Sequence, residues 1–555
     1  MEHGTTTRHA TEASDPEASD REASGSSARD TAPAAPAAGS RSEKRVLGRH
    51  APNWWPLVAV LVAQAALSLR LVGADTAFED EATYLWAGHL QWAHWLHGAS
   101  TPPFSAYFSG APVIYPPLGA LADSVGGLTA ARILSLAFML GATTLLWGAA
   151  DRLYGPRAAF FAAALFAACG PTLHLGSFAT YDAMAVFLVA LAAWCVVRAG
   201  DSGDATGRMV AAGAVLALAN ATAYASALFD PIVILLALLT AFPKPGGKAA
   251  ARRIAILLVV LVTLLLVGLL IGGSSYVGGF ERTTLMRVPG AASWLTVLRD
   301  SWSWTGVITV LAVCGVIISL ATRQRPARTW LLAVLTVAAI LGPLEQARLH
   351  TAASLDKHVG LGAWFAAIAA GYAVDWFIAA APAGRNRVLT CGACVLALAF
   401  PLSLGATQSR AFATSWPNSA GFIAILGPLV DHNHGRLLVE DPTVAEYYLP
   451  SGSQWQRWSS TRNIVLPSGA STGGPSHKAG VVGAGDAGTF AMYIREGYFS
   501  LIALNFTDTT SLDHSIAADI KHNPHYQPVE VVPFGEGPRG PTPGTYVIWK
   551  YRGRT

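Results

Sequence analysis

Directly after the first long apolar run of the chain, three carboxylates stand in a row, Glu79, Asp80 and Glu81, followed closely by Tyr84. An acid at the edge of an apolar segment is expensive, roughly 2.5–3.5 kcal/mol for Asp on membrane-insertion scales, so such groups are candidates for function. A carboxylate held there can act as a general base toward a hydroxyl. On spacing alone, a solvated cluster of loop charges accounts for them equally well. A second acid, Asp182 in Thr180-Tyr181-Asp182, opens another apolar run, where an unpaired carboxylate is penalised. The plainer reading of Asp182 is a first-turn acid favoured by the helix dipole. A third group, Glu345 to His358, concentrates Arg348, His350, Lys357 and His358 in a short connection. Two cations and two imidazoles together can hold a phosphate through charge-assisted hydrogen bonds. The competing reading is snorkelling of Arg and Lys at a membrane interface.

The elements that must position these residues follow from composition. Only 13% of the 555 residues are charged and 52% are hydrophobic. Soluble domains carry about 25% charged residues, so a soluble globular enzyme and a disordered chain are both excluded. The net charge of +4 suggests no nucleic-acid partner. Residues 1–52 are rich in Ala, Ser, Thr, acids and Pro and read as a disordered tail. From Trp54 to about residue 406, apolar runs near bilayer length recur, and only helices satisfy their own backbone in lipid at such lengths. The expected fold is an all-α polytopic membrane protein of about eleven transmembrane helices. The spans fall near 55–73, 128–149, 158–173, 183–198, 209–226, 228–242, 254–272, 303–322, 330–347, 359–380 and 388–406.

Lys and Arg are sorted between the two sets of connections, seventeen against seven. The positive-inside rule then makes the N-terminal tail cytoplasmic. An odd number of spans places residues 407–555 outside, at the plasma membrane. That last segment reads as a small α/β or β domain, since short alternating runs such as Arg436-Leu-Leu-Val-Glu440 are separated by turn residues. Its stretch from Pro467 to Gly488 is expected to be a flexible loop. Within the catalytic segment 53–406, a long first outer loop (73–127) carries Trp86, Trp92, Trp95, Phe104, Tyr107 and Phe108 before Tyr115-Pro-Pro-Leu118. Amphipathic aromatics of this kind suit interfacial helices. The five cysteines all lie in apolar segments, and the Cys391-x-x-Cys394 pair reads as helix packing.

No Walker-type phosphate loop is present, so ATP-driven transport finds no support. A transporter or lipid flippase would want acids at mid-membrane and two repeated halves with broken helices. A cell-envelope assembly scaffold would need neither an acid pair nor a basic partner loop.

The order of motifs resembles the GT-C glycosyltransferases. These are Asp80-Glu81-x-x-Tyr84 after helix one, Tyr115-Pro-Pro-Leu118, Thr180-x-Asp182, Thr129-Ala-Ala-Arg132-Ile-Leu-Ser and Asp151-Arg-Leu-Tyr-Gly155. Within that class the chain is most similar, over residues about 55–406, to the protein-mannosyltransferase and aminoarabinose-transferase branch, the family 39 and 83 type. The resemblance implies a polyprenyl-phosphate-linked sugar donor and inverting transfer on the outer face of the membrane. The acceptor is left open between protein, lipid and polysaccharide. The resemblance puts Asp80 at the catalytic centre with Glu81 beside it, Glu79 making that assignment ambiguous by one residue, and Asp182 as the second acid. It matches Arg348, His350, Lys357 and His358 to a lipid-phosphate site by position, with Arg132 facing the same cavity. Glu79, Tyr84 and Tyr115 would line the donor and acceptor pocket. Acids at such a site could hold a divalent cation, but no oxygen cage is legible and metal use stays open.

Overall fold

Each apolar run read as a span folds as helix in the computed structural model, which describes residues 54–200, 205–241, 247–462, 464–465, 481–482, 486–534 and 544–553. The tail expected over residues 1–52 lies outside the described residues, as does most of the stretch from Pro467 to Gly488. Helix α1 (Trp55–Leu69) begins at a proline, whose fixed φ and missing N–H suit a first turn. Helix α2 (Glu79–His97) carries the three acids in its first turn, where the dipole favours negative charge. Helix α3 (Tyr115–Tyr154) is broken at Gly126–Gly127, so the expected span begins where the long helix changes direction. The first outer loop therefore holds two helical pieces, α2 and the start of α3.

The bundle continues with α4 (Pro156–Ala167), α5 (Gly170–Leu175), α6 (Tyr181–Ala199), α7 (Ala205–Thr222), α8 (Asp230–Ala241), α9 (Gly247–Phe280), α10 (Trp294–Ala321), α11 (Pro326–Arg348) and α12 (Leu355–Ala380). Helices α13 (Arg385–Ala397) and α14 (Ala399–Ala413) then run end to end, past the boundary expected near residue 406. Among the described residues, eight helical segments are long and apolar enough to cross a membrane. The expected eleven differ because runs such as α1 and α4 are only 15 and 12 residues long.

The centre of the bundle is α12, buried almost continuously from Leu355 to Ala373. Its inner sequence is mostly Ala and Gly, and a Cβ added at Gly371 would lie 2.3 Å from the carbonyl oxygen of Ala158. Backbones that close are how apolar helices gain packing when lipid offers no hydrophobic drive between them. This helix carries Lys357 on its first turn.

The C-terminal region begins with α15 (Ala420–Asp431) and a five-stranded sheet of order β2-β1-β5-β7-β6, where β1 is Arg436–Val439, β2 Trp458–Ser459, β5 Phe499–Leu504, β6 Tyr526–Phe534 and β7 Gly544–Tyr551. A separate hairpin pairs β3 (Ile464–Val465) with β4 (Val481–Val482). Strands β2, β1 and β5 are parallel, and β7 and β6 pair antiparallel at the other edge. Period-2 alternation sends Leu437 and Val439 toward α15 and α16 (Thr443–Tyr448), and Leu438 toward α17 (Ala487–Glu496) and α18 (Thr510–His522). The sheet is thus covered on both faces, which fits its parallel half.

Helix α16 and the turn after it sit on α2. The indole N–H of Trp86 donates to Gly452 O at 3.0 Å, the amide of Ala77 donates to the Tyr448 hydroxyl at 2.8 Å, and the Tyr447 hydroxyl donates to Asp123 at 2.6 Å. On its other side α2 is wedged against α3. A Cβ at Gly88 would fall 2.0 Å from the carbonyl oxygen of Pro116. Gly88→Ala should therefore push α2 off its seat and cost about 1–3 kcal/mol, the usual penalty of overpacking. A thermal unfolding midpoint equal to that of the wild type would show that α2 is not wedged there.

Candidate active site

Two ion pairs at the start of α2 organise the site, and they use adjacent acids. Asp80 reaches across the bundle to Lys357 on α12, and the two are joined by a direct hydrogen bond. Glu81 turns the other way, to Arg132 of α3, through Nε–Oε1 at 2.8 Å and Nη2–Oε2 at 2.6 Å.

The Glu81–Arg132 pair is fully buried, with the side chains 0% and 2% exposed. Its remaining hydrogen-bonding capacity is used on the backbone. Glu81 accepts from the amides of Phe78 (3.1 Å) and Ala179 (2.7 Å). Arg132 donates to the carbonyls of Val72 (2.6 Å), Asp75 (3.0 Å) and Thr76 (3.2 Å). The pair thereby ties the turn before α2, the start of α2 and the residue leading into Thr180-Tyr181-Asp182. In the structure, neither side chain is among those lining the cavities at Asp80. Their place is in positioning Asp80 and Asp182.

Asp80, Ser354 and Lys357 form the common wall of two cavities of about 440 Å³ each. One contains the charged and polar groups Asp182, Arg287, Gln346 and His358. Asp182 is buried and accepts from the Thr180 hydroxyl at 2.9 Å, and its charge lies within electrostatic reach of Lys357. His358 contacts Gln346. This cavity shares Tyr224 and Ala227 with a third, strongly apolar one of about 480 Å³ walled by Leu218, Leu264, Leu265 and Leu269. The other cavity at Asp80 is aromatic, with Phe178, Trp304, Phe412 and Trp416 beside Glu79, Asp300 and Asp356. The turn feeding Lys357 is itself strained, since His350 and Ser354 are non-glycine residues at φ 50° and 62°.

The remaining residues singled out in the sequence fall into two groups. Tyr84 is buried against Tyr181, with ring centroids 4.6 Å apart, and packs edge-on to Tyr115 at 6.4 Å. Both tyrosines pack behind the site, outside the cavity linings. Arg348 and His350 do not join Asp80. Arg348 is exposed and pairs with Glu345 at 2.5 Å, and His350 is exposed and meets Ala292 O at 3.1 Å. A second cation lining the cavity of Asp182 beside Lys357, Arg287, lies in the connection before α10, where nothing in its immediate sequence distinguishes it. Asp356 was legible as part of the Ser354-Leu-Asp356-Lys357-His358 run and stands 3.4 Å from His174. Among the described residues, no group of three or more His, Cys, Asp or Glu is placed to hold a metal ion.

Glu79 lies under the C-terminal region. The residue is solvent-exposed, yet it lines the aromatic cavity among other acids, and the pKa of its carboxyl is pushed up to about 8. Burial contributes most, followed by the charges of Asp441, Asp80 and Asp508, with Arg462 opposing them. Arg462 is itself paired with Asp508 at 3.2 Å.

Comparison with known proteins places this geometry in a recognised fold. A family model described as dolichyl-phosphate-mannose-protein mannosyltransferase matches residues 120–271. No curated protein matches the chain. Among solved structures, ArnT from Cupriavidus metallidurans in the apo state superposes with a TM-score of 0.55 at 15% identity, covering 89% of this chain and 98% of that one. The same protein bound to undecaprenyl phosphate gives 0.55 at 14% identity, with coverage of 90% and 98%. The apo oligosaccharyltransferase from Archaeoglobus fulgidus gives 0.54 at 13% identity, covering 88% and 74%. The chain has the GT-C glycosyltransferase fold, in agreement with the motif order in its sequence.

Two outcomes follow for the positioning groups. Removing one partner of a buried, fully bonded ion pair typically costs 3–5 kcal/mol. Arg132→Met should therefore sharply lower the thermal unfolding midpoint, and a midpoint within a degree or two of wild type would rule out a structural role for the pair. For Glu79, the folded state holds its proton more tightly than the unfolded chain does. Stability attributable to it is full below the ordinary carboxylate range and is lost as pH rises toward about 8. Glu79→Gln should flatten that decline, giving its largest gain in unfolding temperature near pH 9 and little at pH 5. An equal shift at both values would contradict the assignment.

Proposed function

We propose that the chain is a multi-pass membrane glycosyltransferase that moves a sugar from a polyprenyl-phosphate donor to an acceptor hydroxyl at the extracytoplasmic face. The observation that carries this reading is the Asp80–Lys357 pair in the wall shared by two cavities, one of which adjoins an apolar chamber across Tyr224 and Ala227. A lipid-linked sugar phosphate has the matching three parts. Its prenyl chain suits the chamber of Leu218, Leu264 and Leu265, and its phosphate suits the cavity of Asp182 beside Lys357 and Arg287. Its sugar would then stand at Asp80. Structures similar to this chain carry undecaprenyl phosphate or dolichol phosphate, which supports the same choice of donor. The sorting of Lys and Arg between connections supports placing this end of the bundle outside the cytoplasm.

The chemistry is a single displacement. The acceptor oxygen attacks the anomeric carbon from the aromatic cavity as the bond from that carbon to the phosphate oxygen breaks. The leaving lipid phosphate keeps the bonding pair, and inversion results. Asp80 takes the proton of the attacking hydroxyl, a contribution typically worth 10²–10⁴-fold. Lys357 orients Asp80 and offers its charge to the developing phosphate dianion, and Arg287 adds a second cation. Preorganised charge of this kind often supplies the largest part of catalysis. Asp182, bonded to Thr180, lines the donor cavity and would orient the sugar through its hydroxyls.

The test is full-length protein in lipid nanodiscs with a labelled polyprenyl-phosphate sugar and a cell-envelope extract as the source of acceptor hydroxyls, reading release of the lipid phosphate. Asp80→Asn should reduce release by about 10²-fold or more while donor binding persists. Lys357→Met should weaken donor binding by about tenfold or more, in the range of a lost charge-assisted bond. Undiminished release by Asp80→Asn would remove Asp80 from the chemistry, and no release by the wild type with any polyprenyl-phosphate sugar would overturn the function itself.

A further inference from the structure

The aromatic cavity has a chemistry that the donor does not use. Its rings form one contiguous group: His174 lies 4.6 Å from Phe178 and 5.5 Å from Phe412, Phe178 lies 5.7 Å from Trp416, and Trp304 meets Phe412 edge-on at 5.1 Å. These rings are not part of an interfacial belt, whose members face lipid. On the same helix Trp294 and Trp302 are 56% and 59% exposed and fit that role, whereas Trp304 is turned inward onto the cavity. Phe178, His174, Phe412 and Trp416 are all buried. Carboxylates stand among the rings: Glu79, Asp80, Asp300 and Asp356.

Resting on the transferase reading, we infer that this cavity is the acceptor site and that the acceptor is a carbohydrate, its terminal sugar ring lying against the aromatic surface with its hydroxyls directed to the carboxylates. A sugar ring carries C–H bonds on its faces and hydroxyls around its rim. Aromatic faces are electron-rich and meet C–H groups, while carboxylates are pure acceptors suited to hydroxyl donors. A volume of about 440 Å³ falls in the range of small-molecule sites.

The alternatives fit less well. An acyl or prenyl lipid would have no use for four carboxylates. For an amine the site already holds a cation of its own, since Asp80 is joined to Lys357 and the Lys357 ammonium lies 5.6 Å from the Phe178 ring. The rim continues the same polar chemistry beneath the C-terminal region, where Glu79 is within electrostatic reach of Asp441, Asp508 and Arg462. A chain of sugars longer than the cavity would meet further hydrogen-bonding groups there.

The experiment uses full-length protein in nanodiscs. Short arabino-, galacto-, gluco- and manno-oligosaccharides are titrated with tryptophan fluorescence as the readout. In parallel the same saccharides, a serine/threonine-rich peptide and a lysine-rich peptide are offered with the labelled donor. The expected result is saturable binding of at least one saccharide class and labelling of that class alone. Trp304→Ala should raise its KM at least tenfold with kcat changed less than threefold, and Trp304→Phe should restore most of the loss. Labelling of either peptide with none of the saccharides, or saccharide binding and KM indifferent to Trp304→Ala, would overturn the inference. Saturable binding of the labelled polyprenyl-phosphate sugar, weakened by Lys357→Met, reports separately on the transferase reading. If no such donor binds, that reading fails, and saccharide binding sensitive to Trp304 still decides the carbohydrate site.

Discussion

The site depends on the buried pairing of Glu81 with Arg132. Two charges taken out of water are tolerable only when geometry is good and every remaining donor and acceptor is used. Here the guanidinium and carboxylate meet in a forked arrangement and spend the rest of their capacity on five backbone groups in the turn before α2, at its start and before α6. No apolar substitute could bridge those three segments, because each contact is to a specific amide or carbonyl. The arrangement fixes the direction in which the first turn of α2 points. Asp80 follows from that, since adjacent positions on a helix diverge by about 100° and one of the two acids must face away from Arg132. Neighbouring carboxylates thus turn to separate partners, Glu81 to Arg132 and Asp80 to Lys357.

What Asp80 faces is decided by α12. A helix of Ala and Gly packs closely against α4, α10 and α11, and its first turn presents Lys357. The Asp80–Lys357 pair then separates spaces of different character. On one side lie Asp182 and Arg287, next to a leucine-walled chamber, and on the other aromatic rings beside carboxylates. A transferase needs such asymmetry, because its two substrates must approach one carbon from opposite sides. The C-terminal region contributes by holding Trp86 of α2 through Gly452, the turn before α2 through Tyr448 and Asp123 of α3 through Tyr447, and by bringing Asp441 and Asp508 near Glu79.

Much of this was legible in the sequence for identifiable reasons. Scarcity of charge marks a membrane protein, and apolar run length locates its helices. The Asp80-Glu81 motif and Asp182 stand out because acids beside apolar runs are costly. Local sequence could not say which of two adjacent acids faces the cavity, since that is set by Arg132, 51 positions away. Nor could it separate Lys357 from Arg348. Both lie in one short basic connection, but Lys357 is on the buried first turn of α12 while Arg348 ends α11 at the surface. Arg287 and Asp300 carry no local signal because they reach the site only through the packing of α9 and α10. The five-stranded sheet was foreshadowed by alternation in Arg436–Glu440, but its strand order is a matter of long-range pairing.

The central claim is that the wall of Asp80 and Lys357 divides a lipid-phosphate cavity from an acceptor cavity. A structure of the full-length protein in nanodiscs with a non-transferable polyprenyl-phosphate sugar analogue tests it most directly. The account predicts phosphorus within ion-pair reach of Lys357 and Arg287, the prenyl chain among Leu218, Leu264 and Leu265, and the anomeric carbon facing Asp80. Phosphate seated beside Arg348, or a prenyl chain running through the aromatic cavity, would contradict it.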